Sequence, residues 1–297
     1  MKYVPLECKS ALHCVKRNPA FKWDLNIYRG CEHGCRYCFA IYSHDYLNDG
    51  HFFETVYYKK NIIQVLEKEL SSAKWKKDVI SIGGVTDSYQ PIEKELGLMR
   101  DVLKLMIKYR NPIIISTKST LILRDLDLLT ELAKYVPVHV AFTITTIDEK
   151  VRSSLEPFGS PSLDRFKALA RIKKTGATIG VHIMPIIPYV TDNCQNLEGI
   201  YALASKIQAD YVLPGMLYLR GKTRPFFFSY VSKNYPSVYQ KLQTLYQSKE
   251  HKMHYKKGLY AYIASLEKKY HLSSDFKKNL KLYQKIPSCE QLSLFKS

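Results

Sequence analysis

Three cysteines lie within eight residues of one another in the segment GCEHGCRYCF. Cys31, Cys35 and Cys38 have the spacing C-x3-C-x2-C. Three thiolates on one short loop are typical of a cubane iron–sulfur cluster, and three protein ligands leave one iron open. Gly30 and Gly34 supply the backbone freedom that so tight a loop needs. The spacing therefore indicates a cluster that binds a further molecule at its open iron.

Two other interpretations of this cysteine loop are weighed against the cluster. A zinc ion would need a fourth ligand, for which His33 is the nearest residue of a suitable type. Structural zinc sites normally use paired C-x2-C elements, and no second pair occurs in the sequence. The third interpretation is that the thiols are buried and unrelated. The position of the loop after the first strand of an α/β pattern favours the iron–sulfur cluster.

The pattern around the loop alternates short apolar runs with amphipathic segments, about six times. Buried parallel strands joined by helices predict an α/β barrel or a doubly wound sheet. Such folds place their chemistry at the carboxyl ends of the strands. Strands are predicted at 25–29, 78–84, 112–117, 137–145, 178–187 and 210–215. Helices are predicted at 61–73, 95–109, 124–135, 162–176 with Ser162 as N-cap, and 196–209.

Composition and charge narrow the class of protein. The chain has 297 residues, of which 46% are hydrophobic and 24% charged, and this excludes disorder as the main state. It has no apolar stretch of transmembrane length and no signal-peptide pattern at its start, so we expect a cytoplasmic protein with reduced cysteines. The net charge of +18 favours a polyanionic partner, most often nucleic acid.

Most of the positive charge lies in the last quarter of the chain. Residues 217–297 hold 16 Lys and Arg against 4 Asp and Glu, a net charge of +12. Strand signals stop after Leu219, and helices rich in Tyr and Lys are predicted at 236–250, 257–272 and 274–285. We expect this segment to bind the nucleic acid backbone; the alternative is that it forms only a solvated basic surface.

Several segments of the sequence together resemble a known family. The cysteine spacing, with the aromatic Tyr37 before the last cysteine, is similar to that of the radical S-adenosylmethionine (radical SAM) enzymes. Further phrases resemble the spore photoproduct lyase-like branch, across about residues 26–215. They are NIYRGCEHGCRYCFA (26–40), GGVTDSYQPIEKE (83–95), STKSTLILRDLDLL (116–129), FTITTIDEKVRSSLEP (142–157) and MPIIPYVTD (184–192).

The resemblance implies an architecture and two cofactors. The expected fold is a partial (β/α)6 TIM-type barrel over 26–216, preceded by an N-terminal segment (1–25) and followed by a small basic helical C-terminal extension (217–297). The three cysteines would hold a [4Fe–4S] cluster whose open iron takes S-adenosylmethionine. One electron, from a reductant such as flavodoxin or ferredoxin, would then release a 5′-deoxyadenosyl radical that removes a hydrogen atom from the substrate.

The resemblance also implies which residues bind S-adenosylmethionine. Gly83 and Gly84 occupy the place of a glycine-rich motif that meets its amino group, and glycine permits such close approach. Lys118 ends an apolar strand, where it is placed to pair with the methionine carboxylate, and Thr143 ends the next strand with a hydroxyl. The implied cofactor-binding residues are Tyr37, Gly83, Gly84, Lys118, Thr143, Glu156 and Arg165.

The chain also departs from the spore photoproduct lyases. Those enzymes carry a hydrogen-donating cysteine after the second strand, where this chain reads Val85-Thr86-Asp87. The aromatic residue after the third cluster cysteine is Tyr in those enzymes and Phe39 here. Photoproduct lyase activity is therefore not expected. Asp87 and Gln90 are candidates for contact with the substrate, and Cys194 is a candidate hydrogen donor.

The C-terminus ends in a short motif, QLSLF. Gln291, Leu292, Leu294 and Phe295 resemble the segment with which bacterial replication and repair proteins dock on the DNA sliding clamp. Apolar anchors in a flexible tail suit such a pocket. The alternative is that this apolar end packs back on the barrel.

The sequence thus predicts a radical SAM enzyme, lyase-like, that acts on nucleic acid, with DNA favoured and a repair-like role. One alternative is radical modification of RNA or of a small molecule. The other is a DNA-binding accessory protein with a structural or redox-sensing cluster. No membrane partner is expected.

Overall fold

The computed structural model describes residues 1–15, 21–47, 50–277 and 280 of the chain. The strands are β1 (Lys2–Leu6), β2 (Leu12–Cys14), β3 (Trp23–Leu25), β4 (Tyr28–Arg29), β5 (Thr55–Lys59), β6 (Ile80–Ile82), β7 (Ile113–Thr117), β8 (Val138–Thr143), β9 (Thr178–Ile186) and β10 (Tyr211–Met216). The α-helices are α1 (Ile62–Leu70), α2 (Glu93–Leu96), α3 (Leu98–Tyr109), α4 (Leu126–Ala133), α5 (Glu149–Leu155), α6 (Ser162–Lys173), α7 (Cys194–Lys206), α8 (Thr223–Asn234), α9 (Pro236–Gln247) and α10 (Lys249–Tyr270). Two 3-10 helices cover Phe39–Leu47 and Thr120–Asp125.

The main sheet has seven strands in the order β10-β9-β8-β7-β6-β3-β2. The six strands from β10 to β3 are parallel, and β2 pairs antiparallel with β3 at one edge. In the described part of the chain, no strand joins β10 to β2, so the sheet does not close on itself. The predicted partial six-stranded barrel is confirmed.

Successive residues of the parallel strands face two different environments. In β7, Ile113 and Ile115 pack into the main hydrophobic core, whereas Ile114 and Ser116 line a cavity on the other face. Strand side chains alternate between the two faces of a sheet, which produces this division. The apolar face is covered by helices, as in other parallel sheets. The inner face is left for the site.

The N-terminal region differs from the prediction of one strand at 25–29. β3 ends at Leu25, and Tyr28–Arg29 belongs to a second sheet of order β1-β5-β4. Asn26 lies between the two strands; its side-chain oxygen accepts a hydrogen bond from the Val85 N–H (3.0 Å). The chain changes direction at this contact with a distant loop, and the local sequence pattern does not predict the change.

The predicted cap of α6 is also wrong. Pro161 occupies the N-cap position, and Ser162 is the first helical residue. The Ser162 hydroxyl donates to the Thr146 carbonyl (2.6 Å), and its N–H donates to the Glu149 carboxylate (2.7 Å). Ser162 therefore ties the helix start to the preceding loop instead of capping the helix.

The C-terminal region packs on the barrel. α8 was not predicted, and α10 begins at Lys249, whereas a helix was predicted from 257. Leu259, Ile263 and Leu266 of α10 belong to the main core. Of the helix predicted at 274–285, residues 274–277 are not helical, Leu280 is helical, and the others lie outside the described residues. The QLSLF residues Gln291, Leu292, Leu294 and Phe295 also lie outside them. None of the described helices is both long and apolar enough to cross a membrane.

Candidate functional site

A cavity of about 530 Å³ lies on the inner face of the sheet. Residues from β6 to β10 and from the cysteine loop form its walls, as expected for chemistry at the carboxyl ends of parallel strands. Its volume is in the range that small-molecule sites occupy. From the predicted set, the lining includes Cys31, Cys35, Cys38, Tyr37, Gly83, Gly84, Asp87, Lys118 and Thr143.

The cysteine loop is held by the segment that follows β6. The Thr86 hydroxyl donates to the Gly30 carbonyl (2.6 Å), and the Gln90 side-chain oxygen accepts the Glu32 N–H (2.9 Å). On the other side, the Arg36 N–H donates to the Leu155 carbonyl (2.9 Å). Gln90 is fully buried and is not among the residues that line the cavity. It therefore positions the loop and makes no contact with the substrate space.

His33 is not available as a zinc ligand. Its Nδ1 lies 3.1 Å from the Phe158 carbonyl oxygen, and its Nε2 lies 3.0 Å from an Asp87 carboxylate oxygen. Among the residues that the structure describes, no three His, Cys, Asp or Glu side chains come close enough together to hold a single metal ion. The zinc alternative is therefore not supported.

The three thiols fit an iron–sulfur cluster better. They face one cavity, and Cys31 and Cys35 are buried. Burial raises the pKa of Cys35 to about 12, so the thiol is protonated unless a metal takes the place of the proton. In a cubane cluster each thiolate binds a different iron, so the sulfurs need not converge on one point.

The carboxylate of Asp87, a predicted substrate contact, forms hydrogen bonds with neighbouring residues. Its carboxylate accepts hydrogen bonds from the Thr117 hydroxyl (2.8 Å) and the Lys118 N–H (2.7 Å). Burial alone would raise the pKa of Asp87, but the neighbouring His33 and the backbone N–H groups of Lys118 and Tyr89 lower it well below its usual value. The ionised carboxylate therefore joins the cysteine loop to the end of β7, and its effect on the site is to position both.

The glycines after β6 shape the cavity wall. Gly83 has a φ of +88°, and a Cβ there would lie 3.1 Å from the Thr86 carbonyl oxygen. A Cβ on Gly84 would lie 2.6 Å from the Asp24 carboxylate. Both positions therefore exclude larger residues because of contacts within the protein, and both leave backbone exposed to a ligand in the cavity.

Lys118 carries a charge that the described protein does not neutralise. It lines the cavity at the end of β7, and no described residue forms a hydrogen bond or an ion pair with its ammonium group. Its Nζ lies 5.8 Å from the centre of the Tyr37 ring, a cation–π contact. Burial alone would lower the pKa of Lys118, but Cys35 and Glu156 raise it, so the ammonium is charged and suited to an anionic ligand.

Tyr37, Glu156 and Arg165 form a buried network behind the cavity wall. The Tyr37 hydroxyl donates to Glu156, and an Arg165 nitrogen lies 2.6 Å from the other Glu156 oxygen. Glu156 and Arg165 are fully buried, and neither is among the residues that line the cavity. Each satisfies the charge of the other in this position, and their predicted role in binding the cofactor stays a prediction.

The deeper part of the cavity contains polar residues that the sequence analysis missed. His182 of β9 lies with its Nε2 3.2 Å from the Tyr211 hydroxyl of β10, and Ser116 lies on β7. The ring of Tyr211 packs over Gly180, where a Cβ would clash with it. Burial lowers the pKa of His182 to about 4, so the imidazole is neutral. Only the alternation of β9 signals that His182 points inward.

Thr143 and Cys194 differ in their relation to the site. Thr143 lines the cavity at the end of β8, and its carbonyl accepts a hydrogen bond from Arg165 (2.7 Å). Cys194 is exposed at the first turn of α7, is not among the cavity-lining residues and has Tyr262 as a neighbour. Because α7 lies on the outer side of the sheet, the structure does not place Cys194 where it would donate hydrogen to a substrate.

Comparison with known proteins was made on the sequence and on the structure. The model of the Radical SAM superfamily matches residues 25–198. An uncharacterized protein of Mycobacterium tuberculosis is 34% identical over 275 residues, which cover 90% of this chain and 81% of that protein. An uncharacterized protein of Methanocaldococcus jannaschii is 30% identical over 240 residues, covering 81% of this chain and 86% of that protein.

Among solved structures, a spore photoproduct lyase variant with bound AdoMet and dinucleoside spore photoproduct matches with a TM-score of 0.58 and 13% identity. The match covers 78% of this chain and 66% of the lyase chain, so this chain spans about two thirds of the lyase's length. At that identity the similarity establishes a shared fold.

Proposed function

The chain belongs to the radical SAM superfamily, and on that premise we propose that this enzyme acts on nucleic acid, with DNA favoured over RNA. The radical chemistry is carried by one cavity that three cysteine thiols and the ammonium of Lys118 face, and no described residue pairs with that ammonium. The family typically uses a [4Fe–4S] cluster and S-adenosylmethionine, which together supply a radical able to remove a hydrogen atom from an unactivated carbon.

Different residues of the cavity would bind the cluster and S-adenosylmethionine. Cys31, Cys35 and Cys38 would hold the cluster on a loop fixed from both sides. Lys118 would pair with the carboxylate of S-adenosylmethionine, because no residue in the described ranges neutralises its charge. The exposed backbone at Gly83 would approach the amino group. The largely apolar walls would limit the access of water, which protects reactive intermediates from side reactions.

The deeper wall would receive the reacting part of the substrate. The wall is largely apolar, with neutral His182 and the Tyr211 hydroxyl as hydrogen-bonding groups. Sites that bind a ligand selectively typically combine an apolar lining with a small number of such polar groups. The ring of Tyr211 also provides a flat face for a heteroaromatic base.

The nucleic acid part of the proposal is supported by charge. Residues 217–297 have a net charge of +12, and the helices α8–α10 place described cations of this segment next to the barrel. The comparison structure holds a dinucleoside photoproduct in a related fold. Photoproduct repair itself is not proposed, because Val85-Thr86-Asp87 supplies no thiol after β6 and Cys194 lies elsewhere.

Two partners complete the proposal. A flavodoxin or a ferredoxin would supply the electron. The sliding clamp would bind the QLSLF segment through Leu294 and Phe295, which would bring the enzyme to replicating or repaired DNA. A cytoplasmic location follows from these partners.

The test is mass spectrometry of nucleic acid before and after incubation with reduced, reconstituted enzyme and S-adenosylmethionine. Damaged and undamaged DNA, RNA and nucleosides are incubated separately, and 5′-deoxyadenosine is measured in each sample. Modification of DNA with matching 5′-deoxyadenosine release supports the proposal. Modification of RNA or of free nucleosides alone would favour the other substrates, and no 5′-deoxyadenosine under any condition would refute radical SAM catalysis.

A further inference from the structure

A second groove of about 350 Å³ adjoins the mouth of the cavity. Its lining includes four cations: Arg224 of α8 and Lys249, Lys252 and Lys256 of α10. Residues 215–218, at the end of β10 and just after it, line both the groove and the cavity. A molecule that fills the groove is therefore adjacent to the site of the proposed chemistry.

The three lysines lie on one face of α10. Their spacing of three and four residues places them on the same side of a helix. Lys249 and Lys256 are seven residues apart, which corresponds to about 10 Å along the helix axis. The row therefore offers several positive charges in a line, which suits a chain of regularly spaced anions better than a single anion.

These lysines differ from three lysines on the barrel helices that have acidic partners. Lys104 lies 2.9 Å from Asp101, Lys134 lies 2.6 Å from Glu131, and Lys167 lies 2.9 Å from Asp164. Within the described ranges, none of the three groove lysines has a carboxylate within ion-pair distance. Neighbouring carboxylates thus neutralise part of the positive charge on the barrel helices. The groove instead leaves its charge available.

Aromatic rings lie among the cations. Tyr218 is 68% exposed and lies where the groove meets the cavity. Tyr260 is on the groove wall, with the Lys256 ammonium 5.3 Å from its ring centre. Proteins that bind single-stranded nucleic acid combine a positive groove with rings on which unpaired bases stack.

We propose that this groove binds the phosphodiester backbone of an unpaired nucleic acid strand and directs one nucleotide past Tyr218 into the cavity. The inference rests on the proposed function, since it names the partner of the same site. A single row of cations with an exposed ring at its inner end fits one strand with splayed bases. An acidic polypeptide would find the same charge but would make no use of the ring.

The experiment measures binding of a fluorescent single-stranded oligonucleotide to the full-length protein at several salt concentrations. The test variant carries Lys249→Gln, Lys252→Gln and Lys256→Gln. Each phosphate contact adds about 0.7 to the slope of log affinity against log salt for single strands, so we expect the slope to fall by about 2. The control carries Lys104→Gln, Lys134→Gln and Lys167→Gln, which removes the same charge from the barrel helices and should leave the slope unchanged.

A second pair of variants tests the ring. Tyr218→Ala should weaken binding about tenfold, whereas Tyr218→Phe should keep it, because stacking needs the ring and not the hydroxyl. Thermal unfolding of each variant shows whether it is folded. Polyglutamate of matched length serves as the acidic polypeptide probe, and we expect it to bind more weakly than the oligonucleotide.

The outcomes separate the groove from the proposed function. Equal slopes of log affinity against log salt in the test variant and the control would refute the proposal that the groove binds nucleic acid, even if the wild-type protein binds and modifies DNA. Equal affinity for polyglutamate would also overturn it. Binding at the groove without chemical modification of any nucleic acid would leave the groove in place and refute the proposed substrate.

Discussion

Replacing Arg165 by Met distinguishes a structural role from a cofactor-binding role. Arg165 lies 2.6 Å from Glu156, and both side chains are fully buried. It also donates hydrogen bonds to the carbonyls of Thr143 (2.7 Å) and Ser160 (2.7 Å). Methionine keeps the apolar stem and removes the charge and the donors, so Glu156 is left as a buried charge without its cation.

The expected loss of stability follows from these contacts. Breaking a buried ion pair by removing one partner costs about 3–5 kcal/mol, and each lost hydrogen bond to a backbone carbonyl adds about 1 kcal/mol. Because such terms are not additive, we expect a loss of about 4–6 kcal/mol. The double variant Arg165→Met/Glu156→Met leaves no charge and should recover about half of that loss.

The loss of stability in Arg165→Met depends on pH in a definite direction. Burial alone would raise the pKa of Glu156, but Arg165 and Lys118 lower it, so in the wild type its stabilisation is present above the usual carboxyl pKa and is lost in acid. Without Arg165, the pKa of Glu156 should rise and the carboxyl should take up a proton. The stability gap between wild type and Arg165→Met should therefore narrow as the pH falls towards the usual carboxyl pKa.

Urea unfolding of the wild type, both single variants and the double variant measures these quantities, provided that the m-values agree. Titration with S-adenosylmethionine is the parallel measurement. A loss of less than about 1 kcal/mol in Arg165→Met would refute the structural role. A large fall in cofactor affinity at unchanged stability would show that Arg165 binds the cofactor after all.

Three further predictions concern the cavity and the tail. Lys118→Met should weaken binding of S-adenosylmethionine about 10- to 100-fold in calorimetry, because a charge-assisted contact worth about 1.5–3 kcal/mol is lost; unchanged affinity would contradict this. Wild-type protein should hold about four irons and four sulfides, and Cys35→Ala should lose both the cluster and 5′-deoxyadenosine release, whereas stoichiometric zinc without iron uptake would argue against the cluster. A peptide of residues 286–297 should bind the bacterial sliding clamp in a fluorescence anisotropy assay, and replacing Leu294 and Phe295 by Ala should abolish this, since both apolar anchors are removed; no binding by the wild-type peptide would end the docking hypothesis.

Local patterns in the sequence suffice to predict the cysteine loop and the parallel strands. The spacing of Cys31, Cys35 and Cys38 limits them to one loop, whatever surrounds it. The unbroken apolar run at 112–117 and its counterparts predict buried parallel strands, because only strands covered on both faces tolerate such runs. Lys118 and Thr143 end two of these strands, so their arrival at one cavity follows from parallel pairing.

Long-range packing determines which polar residues face the cavity and which face each other. Glu156 and Arg165 look like ligands in the sequence, but the packing of α5 and α6 places them together behind the wall. His182 belongs to no recognisable sequence motif. It lies at the site because the register between β8 and β9 pairs it with Thr143. The basic groove arises because α10 packs beside the end of β10. Each of these outcomes depends on contacts between residues far apart in the chain, which no local periodicity encodes.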